Sequence, residues 1–214
     1  MNFIKERHEV IQYGKALVTH GLTKGTGGNV SVYSRENEYM LISPSAMNYS
    51  EIELEDVVVM DLAGRVIEGK RKPSTEHLMH LALYRGRSDV NAVVHTHSPY
   101  CTALSCIGSG IPATHYLIGL AGEDVKCAPY ATYGTEELAM KAFKGMEGRF
   151  AVLLANHGLL AAGVDLASAF YAAEEVEMLA QVYVLAKSVG RPRLLPKREV
   201  RSLMSKFRNY GQDK

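Results

Sequence analysis

His95 and His97 stand two residues apart in the run Asn91-Ala92-Val93-Val94-His95-Thr96-His97, whose valines mark it as a strand. Side chains two apart in a strand leave the same face, so both imidazoles can converge on one cation. Imidazole nitrogen suits zinc, and a catalytic zinc takes three protein ligands with one position left for water or substrate. The third candidate ligand is His157, presented by the turn Asn156-His157-Gly158 between two apolar runs. The fourth is Glu76, expected in the first turn of a helix, where the positive end of the helix dipole favours a carboxylate. A histidine pair at this spacing is common without any metal, and only all four residues together point to one. The stretch Glu76-His77-Leu78-Met79-His80 is no zinc-protease helix, because its order is E-H-x-x-H rather than H-E-x-x-H. His77 and His80 read as helix-face residues, and His8 and His20 as solvated ones.

A second chemistry is anion binding. Gly25-Thr26-Gly27-Gly28-Asn29 offers backbone N–H groups, a hydroxyl and an amide with little bulk, the makings of an anion nest. Its spacing fits neither a P-loop nor the GxGxxG dinucleotide fingerprint. Two hydroxyl clusters strengthen the reading: Ser43-Pro44-Ser45, and Ser74-Thr75 at a helix N-terminus, which attracts phosphate as well as needing a cap. Glu76 follows Thr75 directly, which sets the phosphate pocket beside the metal.

These side chains need elements to carry them. Ile4, Ile11 and Val18, with Leu17, make the apolar stripe of a first helix over 3–20 that stops at Gly21. The glycine loop feeds a hairpin of 30–33 and 39–42; Ser50 and Glu53 form a capping-box pair for a short helix, and 57–61 and 65–67 form a second hairpin. A helix opened by Pro73, Ser74 and Thr75 has Leu78, Leu81, Ala82 and Arg85 on one face and closes at Gly86. The strand 91–97 is followed by a helix over 99–107, a strand 125–128, a helix 135–146 capped by Thr135, and strands 150–154 and 159–162 around His157. Asp165 caps a long helix to about residue 189, and 197–210 forms one more. Hairpins first and helices interspersed later exclude a strictly alternating parallel βαβ protein. The expected fold is α/β, a three-layer αβα sandwich with a largely antiparallel or mixed central sheet.

Composition narrows the partners. The 214 residues are 47% hydrophobic and 22% charged, ordinary for one globular domain, and the net charge of +1 creates no field that would favour nucleic acid or an anionic membrane. Apolar runs fall far short of a membrane span and no leader-like segment opens the chain, so a cytoplasmic location is expected. Cys101, Cys106 and Cys127 contain no CxxC pair and read as small buried residues.

The ordered segments 25–31 (Gly-Thr-Gly-Gly-Asn-Val-Ser), 41–45 (Leu-Ile-Ser-Pro-Ser), 73–76 (Pro-Ser-Thr-Glu), 91–97, 111–116 (Ile-Pro-Ala-Thr-His-Tyr), 127–135 (Cys-Ala-Pro-Tyr-Ala-Thr-Tyr-Gly-Thr) and 156–159 (Asn-His-Gly-Leu) together resemble the class II, zinc-dependent sugar-phosphate aldolase family. The segments 111–116 and 127–135 favour its fuculose branch over the ribulose-5-phosphate 4-epimerases. The resemblance implies one domain over 1–214 with a mobile tail from about 197, and one Zn2+ per subunit held by Glu76, His95, His97 and His157. It implies that Glu76 yields its place to substrate and then works as the acid/base. Thr26, Gly28, Asn29, Ser43, Ser45, Ser74 and Thr75 match phosphate-contacting segments. Tyr133 lies near the aldehyde pocket, where phenylalanine is familiar. Tyr116 matches a catalytic tyrosine that reaches a neighbouring active site in a ring-shaped homotetramer, and Tyr210 a C-terminal tyrosine that helps close the site. The implied reaction is reversible aldol cleavage of L-fuculose 1-phosphate to dihydroxyacetone phosphate and L-lactaldehyde through a zinc-stabilised enediolate. A sugar-phosphate epimerase or dehydratase is the rival on the same site. A non-catalytic binding module predicts eroded ligands, and here all four stand. A Schiff-base aldolase would need a marked lysine; Lys126 has apolar neighbours and nothing else.

Overall fold

Short β-branched runs joined by tight turns pair with their neighbours before any helix intervenes, and that rule builds half of the sheet. The structure is a computed structural model and describes residues 3–208. In it β1 (Asn29–Ser34) pairs antiparallel with β2 (Tyr39–Ile42), β2 with β3 (Val58–Asp61) and β3 with β4 (Val66–Glu68). On the other side of β1 lie β5 (Ala92–Thr96), β8 (Gly158–Gly163), β7 (Ala151–Leu154) and β6 (Lys126–Ala128), giving the order β4-β3-β2-β1-β5-β8-β7-β6. Among the described strands only the edge pair β6 and β7 is parallel.

Alternate residues of each strand feed two cores. Val30, Val32, Val94, Leu153 and Ala161 pack with α1 (Ile4–Thr19), α3 (Pro99–Cys106) and α5 (Leu166–Val189). Met40, Ile42, Val93, Val152 and Leu160 pack with α2 (His77–Gly86) and α4 (Glu136–Gly145). The sheet is therefore covered by helices on both faces, the three-layer mixed α/β arrangement expected from the sequence. The expected caps form: Thr135 Oγ1 accepts the Leu138 N–H at 3.2 Å, and Asp165 Oδ1 accepts that of Ser168 at 2.7 Å. α6 (Lys197–Arg208) seats on the 3-10 turn Tyr116–Leu120 and buries Val200. No helix among the described residues is long and apolar enough to cross a membrane.

Four local expectations are corrected. In α1 the buried face is Arg7, Val10, Gly14 and Leu17, while Ile4 and Val18 are exposed. The cause is Arg7, whose guanidinium donates to the carbonyls of Leu54 and Val57, each at 2.7 Å, and pairs with Glu68 at 2.6 Å. In α2 the buried set is Met79, His80, Leu81, Leu83 and Tyr84, whereas Arg85 is exposed and reaches the Leu62 carbonyl. Residues 48–56 form two 3-10 turns, with Asn48 capping the first, and the Glu53 N–H bonds Asp56 Oδ2 at 3.0 Å in place of a Ser50–Glu53 box. Of the cysteines only Cys101 is buried; Cys106 is exposed at the end of α3.

Candidate active site

β5 runs beneath the N-terminal end of α2, and strand parity decides what meets there. Val93 belongs to the core on the α2 side, so His95 and His97, two and four residues on, face α2 as well. The β7–β8 turn closes beside them, because β5 pairs with β8 in the register His95 with Leu160 and Thr96 with Leu159. That fit needs glycine at 158: a Cβ there would lie 2.2 Å from the Thr96 carbonyl oxygen. Asn156 takes a left-handed conformation, φ 56°, which turns His157 toward β5. Glu76 is the residue before α2 rather than in its first turn, with its N–H bonded to Ser74 Oγ at 3.3 Å.

The four side chains converge, with one ligand atom from each lying within 4.8 Å of the others. His157 Nε2 is 3.0 Å from Glu76 Oε1, His95 Nε2 is 3.3 Å from Glu76 Oε2, and the Nε2 atoms of His95 and His97 are 3.0 Å apart. His95 donates Nδ1–H to the Leu159 carbonyl at 2.9 Å, which in the neutral ring leaves its Nε2 with a bare lone pair. Glu76 Oε1 is buried without a hydrogen-bond partner despite its proximity to His157. Lone pairs aimed at a common point and an orphaned carboxylate oxygen are what a divalent cation satisfies, so the donor set fits a metal.

Electrostatics agree. Burial works against ionising Glu76, but His95 and His157 overcome it and hold the carboxyl well below its ordinary range. Burial, with His95 and His157 adding to it, pushes His97 down to about 4, so its nitrogen is free at neutral pH. His95 is raised above 6.5: burial opposes its charge, and Glu76 beside it prevails.

Around this cluster the three hydroxyl-bearing segments meet in part. The Val30 N–H bonds Ser43 Oγ at 3.3 Å, the Ser74 N–H bonds the Ser43 carbonyl at 3.1 Å, and Pro44 bridges Pro73, so Asn29, Ser43 and Ser74 are neighbours. Asn29 is already engaged, giving Nδ2–H to Glu76 Oε2 at 3.0 Å. Gly28 lies over β5 at φ +70°, where a Cβ would be 2.6 Å from the His95 carbonyl oxygen. Ser45 is half-buried with its N–H on the Lys72 carbonyl, and Thr26 is exposed on the loop. Thr75 and Tyr133 line a cleft of about 260 Å³ together with Glu76, His97 and His157, so both stand at the metal cluster.

Tyr116 does not. It is exposed and lines a separate cleft with Ala162, Gly163, Val164 and Phe207. Those residues sit at the far end of β8 from His157, roughly 16 Å along the strand. Tyr210 lies outside the described residues. Tyr130 and Asn156 also line that cleft, and His80 and Thr23 are buried close to it, none of them given a role in the chemistry from sequence. For His80 a signal existed: it follows Glu76 by four residues, one helical turn on.

Comparison with known proteins agrees with this geometry. Residues 8–184 match the family described as class II aldolase and adducin N-terminal domain. A 5-deoxy-D-ribulose 1-phosphate aldolase of Bacillus thuringiensis serovar kurstaki is 54% identical over 208 residues, 97% of this chain and 98% of that protein. An L-fuculose phosphate aldolase of Escherichia coli K12 is 43% identical over 193 residues, 89% and 88% of the two chains. A solved structure of an L-fuculose 1-phosphate aldolase superposes with a TM-score of 0.96 at 51% identity, covering 97% of this chain and 98% of its own. Convergent ligands, an antiparallel sheet that brings them together and a match over most of its length place this chain in the class II aldolase and adducin N-terminal domain family.

Proposed function

We propose that this class II aldolase cleaves a deoxyketose 1-phosphate reversibly between C3 and C4, releasing dihydroxyacetone phosphate and a short aldehyde. The observation that carries the reading is the convergence of Glu76, His95, His97 and His157 on one point in an open cleft. The names of the relatives support two substrates. L-Fuculose 1-phosphate would give L-lactaldehyde, and 5-deoxy-D-ribulose 1-phosphate would give acetaldehyde. The higher identity of the deoxyribulose-phosphate relative, together with Tyr130 and Tyr133 in the cleft, favours the smaller aldehyde.

Zinc, one per chain, held by the three imidazoles and the carboxylate, would supply Lewis-acid stabilisation of the charge left on the three-carbon fragment. In cleavage the C4 hydroxyl proton leaves to a base, its oxygen becomes the aldehyde carbonyl, and the C3–C4 electron pair passes to C3. Tyr116 is the proposed base, contributed by a neighbouring copy because it stands at the far end of the sheet from its own cluster. Glu76, having taken up a proton from solvent, then delivers it to C3, and Tyr116 returns the C4 proton to solvent. Thr26, Gly28, Asn29, Ser43, Ser45, Ser74 and Thr75 hold the phosphate, whose binding energy orients the reacting bond. Tyr133 shapes the aldehyde side, and Tyr210 closes the site. The working enzyme on this reading is a cytoplasmic homotetramer acting on a small phosphorylated ketose; the net charge of +1 supports such a partner over nucleic acid.

The test measures dihydroxyacetone phosphate release from each ketose phosphate through a coupled reductase, with and without a strong chelator. Chelator-sensitive release with the higher kcat/KM on 5-deoxy-D-ribulose 1-phosphate is expected. Release from neither ketose by zinc-loaded protein would refute the reading, and epimer or dehydrated product in place of dihydroxyacetone phosphate would transfer it to the rival chemistry.

A further inference from the structure

Glu76, His80 and Tyr84 follow one another at intervals of four residues along α2, the spacing that stacks side chains on one helical face. Asn29 and Ser31 lie two apart on β1 and share the strand face that carries Tyr33, whose ring stacks on Tyr84 at 5.1 Å. The two stripes interlock out of contact with water: His80 and Ser31 are 0% exposed, Asn29 and Tyr84 2%. Their polar atoms form one continuous chain. Glu76 Oε2 meets Asn29 Nδ2 at 3.0 Å, Asn29 Oδ1 meets His80 Nε2 at 2.6 Å, His80 Nδ1 meets Ser31 Oγ at 2.6 Å, and Ser31 Oγ meets the Tyr84 hydroxyl at 2.6 Å.

A carboxylate only accepts, and that single property orients every link. Asn29 must turn its NH2 to Glu76, so its carbonyl oxygen faces His80. Nε2 of His80 must therefore carry a proton. In the neutral ring Nδ1 is then bare and accepts from the Ser31 hydroxyl, whose oxygen, together with the Ser31 carbonyl at 3.1 Å, faces the Tyr84 hydroxyl as acceptor. Burial, with the neighbouring His95 adding to it, pushes His80 down to about 3, so the ring is neutral when the enzyme works.

We propose that His80 is a positioning residue for the aldolase reaction: by holding the Asn29 amide in one orientation it keeps an N–H on Glu76 Oε2 and leaves Oε1 facing the histidines. The inference rests on the acid/base role proposed for Glu76. Without His80 the Asn29 amide is anchored at one end only, and the fixed seat of its N–H on Glu76 Oε2 is lost. An amide that swings off Oε2 raises the proton affinity of the carboxylate and lets it drift from its position opposite C3. The step affected is proton delivery, so the loss falls on kcat. Of the proposed phosphate-holding residues only Asn29 is disturbed and the other six remain, so KM is largely spared.

Two measurements test this. Imidazole 15N NMR at pH 7, on metal-free and metal-loaded protein, is expected to find His80 protonated on Nε2 with Nδ1 bare; an Nδ1–H ring or an imidazolium overturns the proposal, whatever the activity. In steady-state kinetics His80→Phe is expected to lower kcat about 10- to 100-fold with KM within about threefold, the range seen when a partner of a metal ligand is removed. His80→Gln, whose amide N–H can stand in for Nε2–H, should recover most of that loss and serves if the phenylalanine variant does not fold. In an Asn29→Ala background His80→Phe should cost nothing more. Wild-type kcat in His80→Phe, no recovery in His80→Gln, or additive losses in the double variant would each overturn the proposal. Failure of wild-type protein to release dihydroxyacetone phosphate would instead remove the functional reading, and the NMR result distinguishes the two failures.

Discussion

His97 is the most exposed of the four convergent side chains and makes its nearest polar approach to another of them, His95. Removing it should empty the centre without disturbing the core. His97→Ala is expected to lose bound zinc by elemental analysis and about 10³-fold in kcat, several kcal/mol of charge stabilisation, while circular dichroism stays native. The protonation states make a second prediction. His95 in the metal-free protein holds its proton more tightly than an ordinary imidazole, and His97 takes one up only below about 4. Metal must displace the His95 proton at pH values below that raised pKa and the His97 proton only in acid. Zinc affinity, measured by competition with a chromophoric chelator, should therefore weaken as the pH falls below neutrality, and more steeply below about 4. A single uniform slope would contradict the assignment. Glu76 and the three histidines could be read from residue type and spacing because metal chemistry restricts its ligands to few side chains. His80 could not be read so easily, since a histidine on a helix is usually wet, and only the opposing Asn29 and Ser31 make it a buried relay.

At the level of elements, the glycine loop shows how surroundings decide what a residue tolerates. Gly25 and Gly28 both have positive φ, +62° and +70°, yet a Cβ on Gly25 meets nothing within 4 Å while one on Gly28 meets the His95 carbonyl oxygen at 2.6 Å. Gly25→Ala should cost about 1 kcal/mol in denaturant melts, the strain of the left-handed conformation alone. Gly28→Ala should cost about 1–3 kcal/mol more and raise KM, because β1 must move off β5 and carry the phosphate loop with it. Equal costs at the two positions would mean that the loop has no fixed seat on β5. The same lesson explains which helix faces were legible. Hydrophobic spacing located α1 and α2 but rotated both away from their true contacts. In α1 the buried face carries an arginine held by two carbonyls, and in α2 a histidine and a tyrosine held by a serine. Buried polar groups satisfied by partners distant in sequence leave no periodic trace. The caps at Thr135 and Asp165, decided within three residues, were legible.

Over the whole molecule, fold class followed from consecutive hairpins, whereas the pairing of β1 with β5 and of β5 with β8 depends on contacts between distant stretches that no local pattern encodes. The distance between Tyr116 and the cluster also belongs to this scale. If the proposed tyrosine acts from a neighbouring copy, mixing inactive His97→Ala protein with inactive Tyr116→Phe protein should restore activity as subunits exchange, since some sites then draw an intact cluster from one chain and an intact tyrosine from the other. No recovery in mixtures shown by mass spectrometry to contain hybrid oligomers would exclude that arrangement. The cluster itself joins residue 76 to 95, 97 and 157 across the β5–β8 pairing. A cation can bind all four only after that long loop has closed, late in folding. Zinc should then act as a latch: it leaves the refolding rate nearly unchanged and slows unfolding, lengthening the native lifetime in stopped-flow experiments in proportion to the affinity of the site.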